Sequence, residues 1–171
     1  MAEAAPYPTL DELNRLGVPA FVDAMAQLFE PAPRFAARLA AERPFASDRQ
    51  LLEAAARIAR ALPEAAQVEL INAHPRVGAT PSGLSAHSRR EMGAAEQVAD
   101  EELASLNTAY EARFGFRYLV FVAGRSRADL IPGFRSALHR KRNEELRRAV
   151  RDTLAIAADR LQRLRAAPEG T

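Results

Sequence analysis

The chain of 171 residues contains no cysteine. That absence excludes a disulfide framework, a thiolate metal centre and a cysteine nucleophile together. Histidine is scarce as well, with only three residues, His74, His87 and His139, and no two of them sit at the i, i+4 spacing of a helical metal pair. No metal site is therefore expected. Long apolar runs are also missing: nothing approaches the roughly 20 residues that span a bilayer, and nothing near the start combines a basic segment, an apolar stretch and a small-residue cleavage site. The expectation is a soluble, intracellular protein without a membrane partner. Its ending, Pro168-Glu169-Gly170-Thr171, lacks a Ser-Lys-Leu-type address. A cytoplasmic location is expected on that ground.

Charge of one sign is not in large excess either. Net charge is +2, so a nucleic-acid partner is not called for by composition. The distribution is nevertheless uneven, because residues 134–165 hold ten Lys or Arg against four Asp or Glu. Two readings fit, a solvated basic helix face and a site for a polyanion. The first is the simpler.

What the chain does have is helix signal almost throughout. With 48% hydrophobic residues it can bury one core, so a single compact multi-helix domain is expected over residues 1–171, its core at about 10–165 between short ends. Thr9 with Glu12 and Ser47 with Gln50 match capping boxes, and Pro19 and Pro63 suit first helical turns. Leu51, Leu52, Ala55, Ile58, Ala59 and Leu62 recur at three- and four-residue spacing, as do Leu103, Leu106, Tyr110 and Phe114. Each set predicts one buried stripe. The fold class is all-α with one exception, residues 116–122, where Phe116-Arg117-Tyr118-Leu119-Val120-Phe121-Val122 is rich in β-branched and aromatic residues and stops at Gly124. No second strand is evident. The backbone of this extended segment must bond helix ends, side chains, water or a ligand.

Three further features could carry chemistry. His74-Pro75 ends an apolar helical run, since proline disfavours α geometry at the residue before it. Unpaired carbonyls and the helix dipole at such an end favour a protonated imidazole, a plausible proton donor. The plain alternative is a helix-ending residue bonded to a local carbonyl. A loop rich in Gly, Pro and Ser follows, and then Ser88-Arg89-Arg90-Glu91 forms a capping box whose carboxylate suits either helix capping or orienting an imidazolium. On the last helix Leu146, Val150, Thr153, Leu154, Ala157, Leu161 and Leu164 define a stripe, and Arg160 falls inside it, whereas Arg147, Arg148, Arg151 and Arg163 point away. An inward guanidinium needs an anion. Either an internal carboxylate or a substrate carboxylate or ureide would serve.

Taken together, several motifs resemble one family. They are Arg43-Pro44-Phe45, Leu70-Ile71-Asn72-Ala73-His74-Pro75-Arg76-Val77-Gly78, the Ser88-to-Glu91 box and Leu106-Asn107-Thr108-Ala109-Tyr110-Glu111-Ala112-Arg113-Phe114-Gly115-Phe116. In order and spacing this series resembles the 2-oxo-4-hydroxy-4-carboxy-5-ureidoimidazoline (OHCU) decarboxylases, which convert an unstable product of urate oxidation to (S)-allantoin. The resemblance implies an all-helical fold, usually a homodimer, a small-molecule substrate and no cofactor. It implies His74 and Glu91 as catalytic residues. Pro75, Ser88, Met92, the main chain of Tyr118, Leu119, Val120, Phe121 and Val122, and Arg160 are implied as substrate contacts. The implied chemistry has His74, charged and oriented by Glu91, deliver a proton after carbon dioxide leaves, while Arg160 anchors a ligand oxygen. Met92 stands where many members carry glutamine, Ala32-Pro33-Arg34 replaces a familiar Ser-Pro-Trp, and Arg117 replaces a frequent proline. Two alternatives accompany this reading: a related carboxylated or ureido substrate, because Met92 removes an amide, and a non-catalytic basic helical binding module.

Overall fold

The computed structural model describes residues 6–79 and 94–166, and in residues 94–96 the backbone alone. Every regular element among the described residues is a helix. In chain order they are α1 (Leu10–Arg15), α2 (Val18–Phe29), α3 (Pro33–Ala40), α4 (Asp48–Ala61), α5 (Glu64–Asn72), α6 (Ala94–Phe114), α7 (Arg127–Ala137) and α8 (Arg142–Ala166). The described chain divides into two compact units, one holding the residues up to His74 together with those from Val150 onward, the other running from Pro75 to Ala149. The start of α8 thus belongs to the second unit and its remainder to the first.

In the first unit, α3 packs against α2, α4 and α5. Its core takes the side chains that the sequence places on one face: Phe21, Met25 and Leu28 of α2, Phe35 and Leu39 of α3, and Leu51, Ala55 and Ala59 of α4 are all almost fully buried. Fully burying one of these Leu, Met or Phe side chains contributes about 1.5–3 kcal/mol. The Thr9–Glu12 capping box forms as expected at α1. At α4 the pattern shifts by one residue: Ser47 accepts from the Gln50 N–H, while Gln50 turns its side-chain oxygen to the N–H of Ala46. Pro63 is the N-cap of α5 rather than part of its first turn, a displacement of one position.

The Arg43-Pro44-Phe45 motif proves structural. Arg43 donates to the carbonyls of Leu13, Leu16 and Ala40, and its guanidinium lies 4.6 Å from the Phe21 ring centre. Asn14 holds the next residue by both ends, donating to the Phe45 carbonyl at 2.9 Å and accepting from its N–H at 2.8 Å. One planar fork therefore satisfies the carbonyls at the end of α1, where helix geometry leaves them without intrahelical donors.

In the second unit α6 packs on α7. Leu103, Tyr110 and Phe114 of α6 are buried as the periodicity predicts, whereas Leu106, expected on the same stripe, is only half-buried and Asn107 is buried instead. Tyr110 sits at the centre of an aromatic cluster with Phe114, Phe116, Tyr118 and Phe134, and Tyr118 stacks on Phe134 at 3.7 Å. Residues 117–122 carry neither helix nor strand. That agrees with an extended segment lacking a sheet partner.

Candidate active site

His74 follows the end of α5, whose last residue is Asn72 and whose C-cap is Ala73. The helix stops where Pro75 requires it to. The imidazole is only 2% exposed, and its Nδ1 lies 3.3 Å from the carbonyl oxygen of Leu70. Since a carbonyl can only accept, Nδ1 carries the proton in this contact, which makes Nε2 the basic atom of the neutral ring.

Burial is the largest influence on the titration of His74, and it lowers the pKa below the ordinary 6.5. The positive charge of Arg160 lowers it further, against smaller upward pulls from the Leu70 carbonyl, the Glu30 carboxylate and the Ile71 carbonyl. This corrects the sequence expectation of a ring held protonated by the helix end. The terminal carbonyls do act in the expected direction, but removing the ring from water costs the cation more than they return. At neutral pH the ring is uncharged.

Arg160, on α8, is in the same unit. It is part-buried, as its place in the apolar stripe suggests, and its anion is internal: Nη2 donates to Oε1 of Glu30 at 2.7 Å and Nη1 to the Leu28 carbonyl at 3.3 Å. A cavity of about 400 Å³ lies beside it, lined by Gln27, Arg160, Arg163 and Leu164. Glu30 was not anticipated from sequence. It caps α2 with φ 59° and ψ 175°, a backbone region that L-residues with a Cβ seldom occupy. The only local hint was the Glu30-Pro31 pair, since a residue before proline is pushed out of the α region.

Of the other expected contacts, Ser88, Glu91 and Met92 lie outside the described residues. Pro75 and the segment from Tyr118 to Val122 belong to the second unit. There the loop after His74 is tied to α6 at three points. Arg76 pairs with Glu111 through two bonds at 2.6 and 2.9 Å, Asn107 donates to the Val77 carbonyl at 2.8 Å, and Gly78, at φ +77°, backs onto Leu103. Asn107 and Glu111 come from the motif read above only as a family mark.

The extended segment is fastened by arginines. Arg148 donates to the Leu119 carbonyl at 2.8 Å and grips Glu145 through Nε and Nη2. Glu145 is fully buried and also accepts from the Tyr110 hydroxyl at 2.7 Å and from Arg140 at 3.2 Å. Burial pushes the Glu145 carboxyl up, but the bonds from Arg148 and Tyr110 outweigh it and hold the pKa below 4.5. The expectation that Arg148 points away from the core is thus wrong, for its side chain is 12% exposed. Helical periodicity alone places it on the polar face. Only the arrival of Glu145 and the Leu119 carbonyl makes its burial tolerable.

Among the described residues no three His, Asp or Glu side chains gather as a metal ion would require, and no helix is long and apolar enough to cross a membrane.

Comparison with known proteins decides the family. The model of the OHCU decarboxylase family matches residues 14–162. The chain belongs to the OHCU decarboxylase family. Among relatives, the uric acid degradation bifunctional protein PucL of Bacillus subtilis is 34% identical over 158 residues, 90% of this chain but 32% of that protein. The chain thus spans about a third of that relative's length. The 2-oxo-4-hydroxy-4-carboxy-5-ureidoimidazoline decarboxylase of Halalkalicoccus jeotgali is 29% identical over 168 residues, covering 95% of each. A crystal structure of OHCU decarboxylase in the presence of (S)-allantoin matches with a TM-score of 0.68 at 22% identity, covering 84% of this chain and 97% of that one. This likeness shows the shared all-helical family fold.

Proposed function

We propose that the chain decarboxylates 2-oxo-4-hydroxy-4-carboxy-5-ureidoimidazoline to (S)-allantoin and carbon dioxide without a cofactor, as a step of urate degradation. Family membership supports the reaction. The observation that carries the mechanism is a buried, neutral His74 whose titration feels both Arg160 and Glu30. The family match runs through both compact units, which supports treating residues 10–165 as one functional domain.

In the substrate, C4 bears the hydroxyl and carboxyl groups and C5 the ureido group and the ring imine. The C4–carboxyl bond breaks and carbon dioxide leaves. Its electron pair forms a C4–C5 double bond while the imine pair moves onto the ring nitrogen, which takes a proton from solvent. The C4 hydroxyl then gives up its proton as C5 gains one, leaving the C4 carbonyl of allantoin. Neutral His74 suits this second stage. Nε2 accepts the hydroxyl proton and the resulting imidazolium delivers a proton to one face of C5, which fixes the hand of the product. A ring already charged could not begin that sequence. Arg160 binds a ligand oxygen, and the main chain from Tyr118 to Val122 binds the ureide. Roles for Pro75, Ser88, Glu91 and Met92 and a homodimeric assembly follow the resemblance, and a cytoplasmic location belongs to the same proposal.

The pairing of the basic stretch favours this reading over a polyanion-binding module. Arg135, Arg140, Arg148, Arg160, Arg163 and Arg165 each meet a carboxylate of the chain itself. Met92 favours one variant, a related ureido acid as substrate; a large gain for the ureidoimidazoline in Met92→Gln protein supports that variant. The deciding experiment generates the labile substrate in situ with urate oxidase and hydroxyisourate hydrolase, then follows carbon dioxide and optical rotation. Accelerated formation of one enantiomer is expected. A racemic product at the uncatalysed rate refutes the proposal.

A further inference from the structure

The segment offered above as the ureide-binding wall has its carbonyls occupied in a particular way. Arg148 Nη1 donates to the Leu119 carbonyl at 2.8 Å, while Arg125 donates from Nη2 to Phe121 at 2.6 Å and from Nε to Val122 at 3.0 Å. A guanidinium has donors and no acceptor, so it can only engage the acceptor side of a peptide group. The Leu119 carbonyl shares its peptide unit with the Val120 N–H, and the Phe121 carbonyl shares its unit with the Val122 N–H. A cation on the oxygen of a peptide polarises that unit and makes its N–H a stronger donor.

The two arginines differ in how they are held. Arg148 is clamped by Glu145, which Tyr110 and Arg140 hold in turn, and its guanidinium lies 4.8 Å from the Tyr118 ring centre. A rigid series therefore runs from the aromatic cluster to the Leu119 carbonyl. Arg125 is exposed and acts locally, from just beyond Gly124, where the chain turns with φ +75°. A salt bridge serving stability alone would not require either guanidinium to face the same short stretch of main chain.

We propose that Arg148 and Arg125 are positioning residues for substrate binding. By taking the carbonyls of Leu119 and Phe121 they present Val120 and Val122 as polarised N–H donors, a surface suited to the oxygen acceptors of a ureide or carboxylate. The inference rests on the decarboxylase reading given above. It adds two residues and a chemical direction, donor toward ligand, to the wall.

The test measures turnover of in situ generated substrate and, separately, calorimetric binding of (S)-allantoin to the full chain. Arg125→Ala removes an exposed side chain and is expected to fold. Arg148→Lys keeps the charge, but a single ammonium cannot serve Glu145 twice and Leu119 once as the planar fork does. Each variant should weaken (S)-allantoin binding and raise KM by ~10-fold, with kcat changed much less, a loss on the scale of one charge-assisted hydrogen bond. Tyr110→Phe serves as the control: it keeps the ring against Tyr118 and strips only the hydroxyl bond from Glu145, leaving the bonds of Arg148 to Glu145 and to the Leu119 carbonyl in place, so it should lower Tm and change KM far less than Arg148→Lys. Unchanged affinity in either folded arginine variant overturns the inference, and should Arg148→Lys fail to fold, Arg125→Ala decides alone. Wild-type protein that neither turns over nor binds overturns the function and this inference together, whereas active wild type with unaltered variants overturns the inference only.

Discussion

Replacing Glu145 with glutamine should be among the most damaging single-atom changes available in this protein. The carboxylate is fully buried and receives Arg148 through three contacts of 2.8–3.1 Å, Tyr110 at 2.7 Å and Arg140 at 3.2 Å. Glutamine keeps one oxygen but turns the other position into a donor facing donors, and it leaves the Arg148 guanidinium buried without its counter-charge. Breaking a buried pair in this manner costs about 3–5 kcal/mol. The Arg140 contribution is discounted because that side chain is 46% exposed and solvent-screened. Against a total stability of roughly 5–15 kcal/mol the loss is severe, and for a chain of this length it corresponds to a fall in Tm of roughly 10 °C. Circular dichroism at 222 nm during urea and thermal unfolding reads both quantities.

The same pair gives a pH signature. Because the folded carboxyl titrates below its ordinary 4.5, its stabilisation is present above pH 4.5 and is lost as pH falls through the folded value. Glu145→Gln protein should lack that part of acid destabilisation. In the double variant with Arg148→Met, the stranded charge is gone, so the combined loss should be smaller than the sum of the single losses. A loss under about 1 kcal/mol in Glu145→Gln, or strict additivity in the double variant, refutes the argument that the buried pair holds this region.

Two further outcomes follow from particular residues. His74→Asn should retain the fold, losing about 1 kcal/mol, yet reduce kcat by ~100-fold or more as a proton carrier is removed. With wild type, the acid limb of kcat/KM should lie below pH 6.5, because burial depresses the ring's pKa; the same shift makes stability fall as pH drops below 6.5, where the unfolded chain takes up a proton first. A limb centred at or above 6.5 contradicts a neutral, buried ring. Gly78→Ala and Gly115→Ala separate backbone strain from crowding. Both residues have φ near +77°, but a Cβ at Gly78 would lie 2.8 Å from Leu103 Cδ1, while Gly115 has nothing within 4 Å. Each change costs about 1–2 kcal/mol for the left-handed conformation, and Gly78→Ala should lose about 1–3 kcal/mol more from overpacking. Equal losses in urea titrations contradict the crowding argument.

The N-caps of α1 and α4 and most of the buried stripes of α4 and α6 were legible in the sequence because they depend on neighbours three or four residues away. Thr9 and Glu12 meet within one turn, and Leu51, Ala55 and Ile58 share a face whatever surrounds them. The extended character of residues 116–122 was local in the same sense, and so was the end of α5 before Pro75. The helix end before Pro75 and the stripe of the last helix singled out His74 and Arg160 as residues to examine, although the direction in which the His74 pKa shifts was not in the spacing.

What tertiary structure decided was polarity at a distance. Glu30 reaches Arg160 across 130 positions of chain, Arg148 reaches the Leu119 carbonyl across 29, and Arg43 reaches the end of α1 across 27. No periodicity records such partners, so Arg148 reads as a surface residue and Glu30 as an ordinary helix end. The protonation of His74 follows the same logic. Sequence supplied the helix terminus, which favours the cation, but only the folded chain supplies the burial and the nearby guanidinium that overrule it. Secondary structure here is set by short-range geometry, whereas the charge a side chain carries is set by what the fold brings to it.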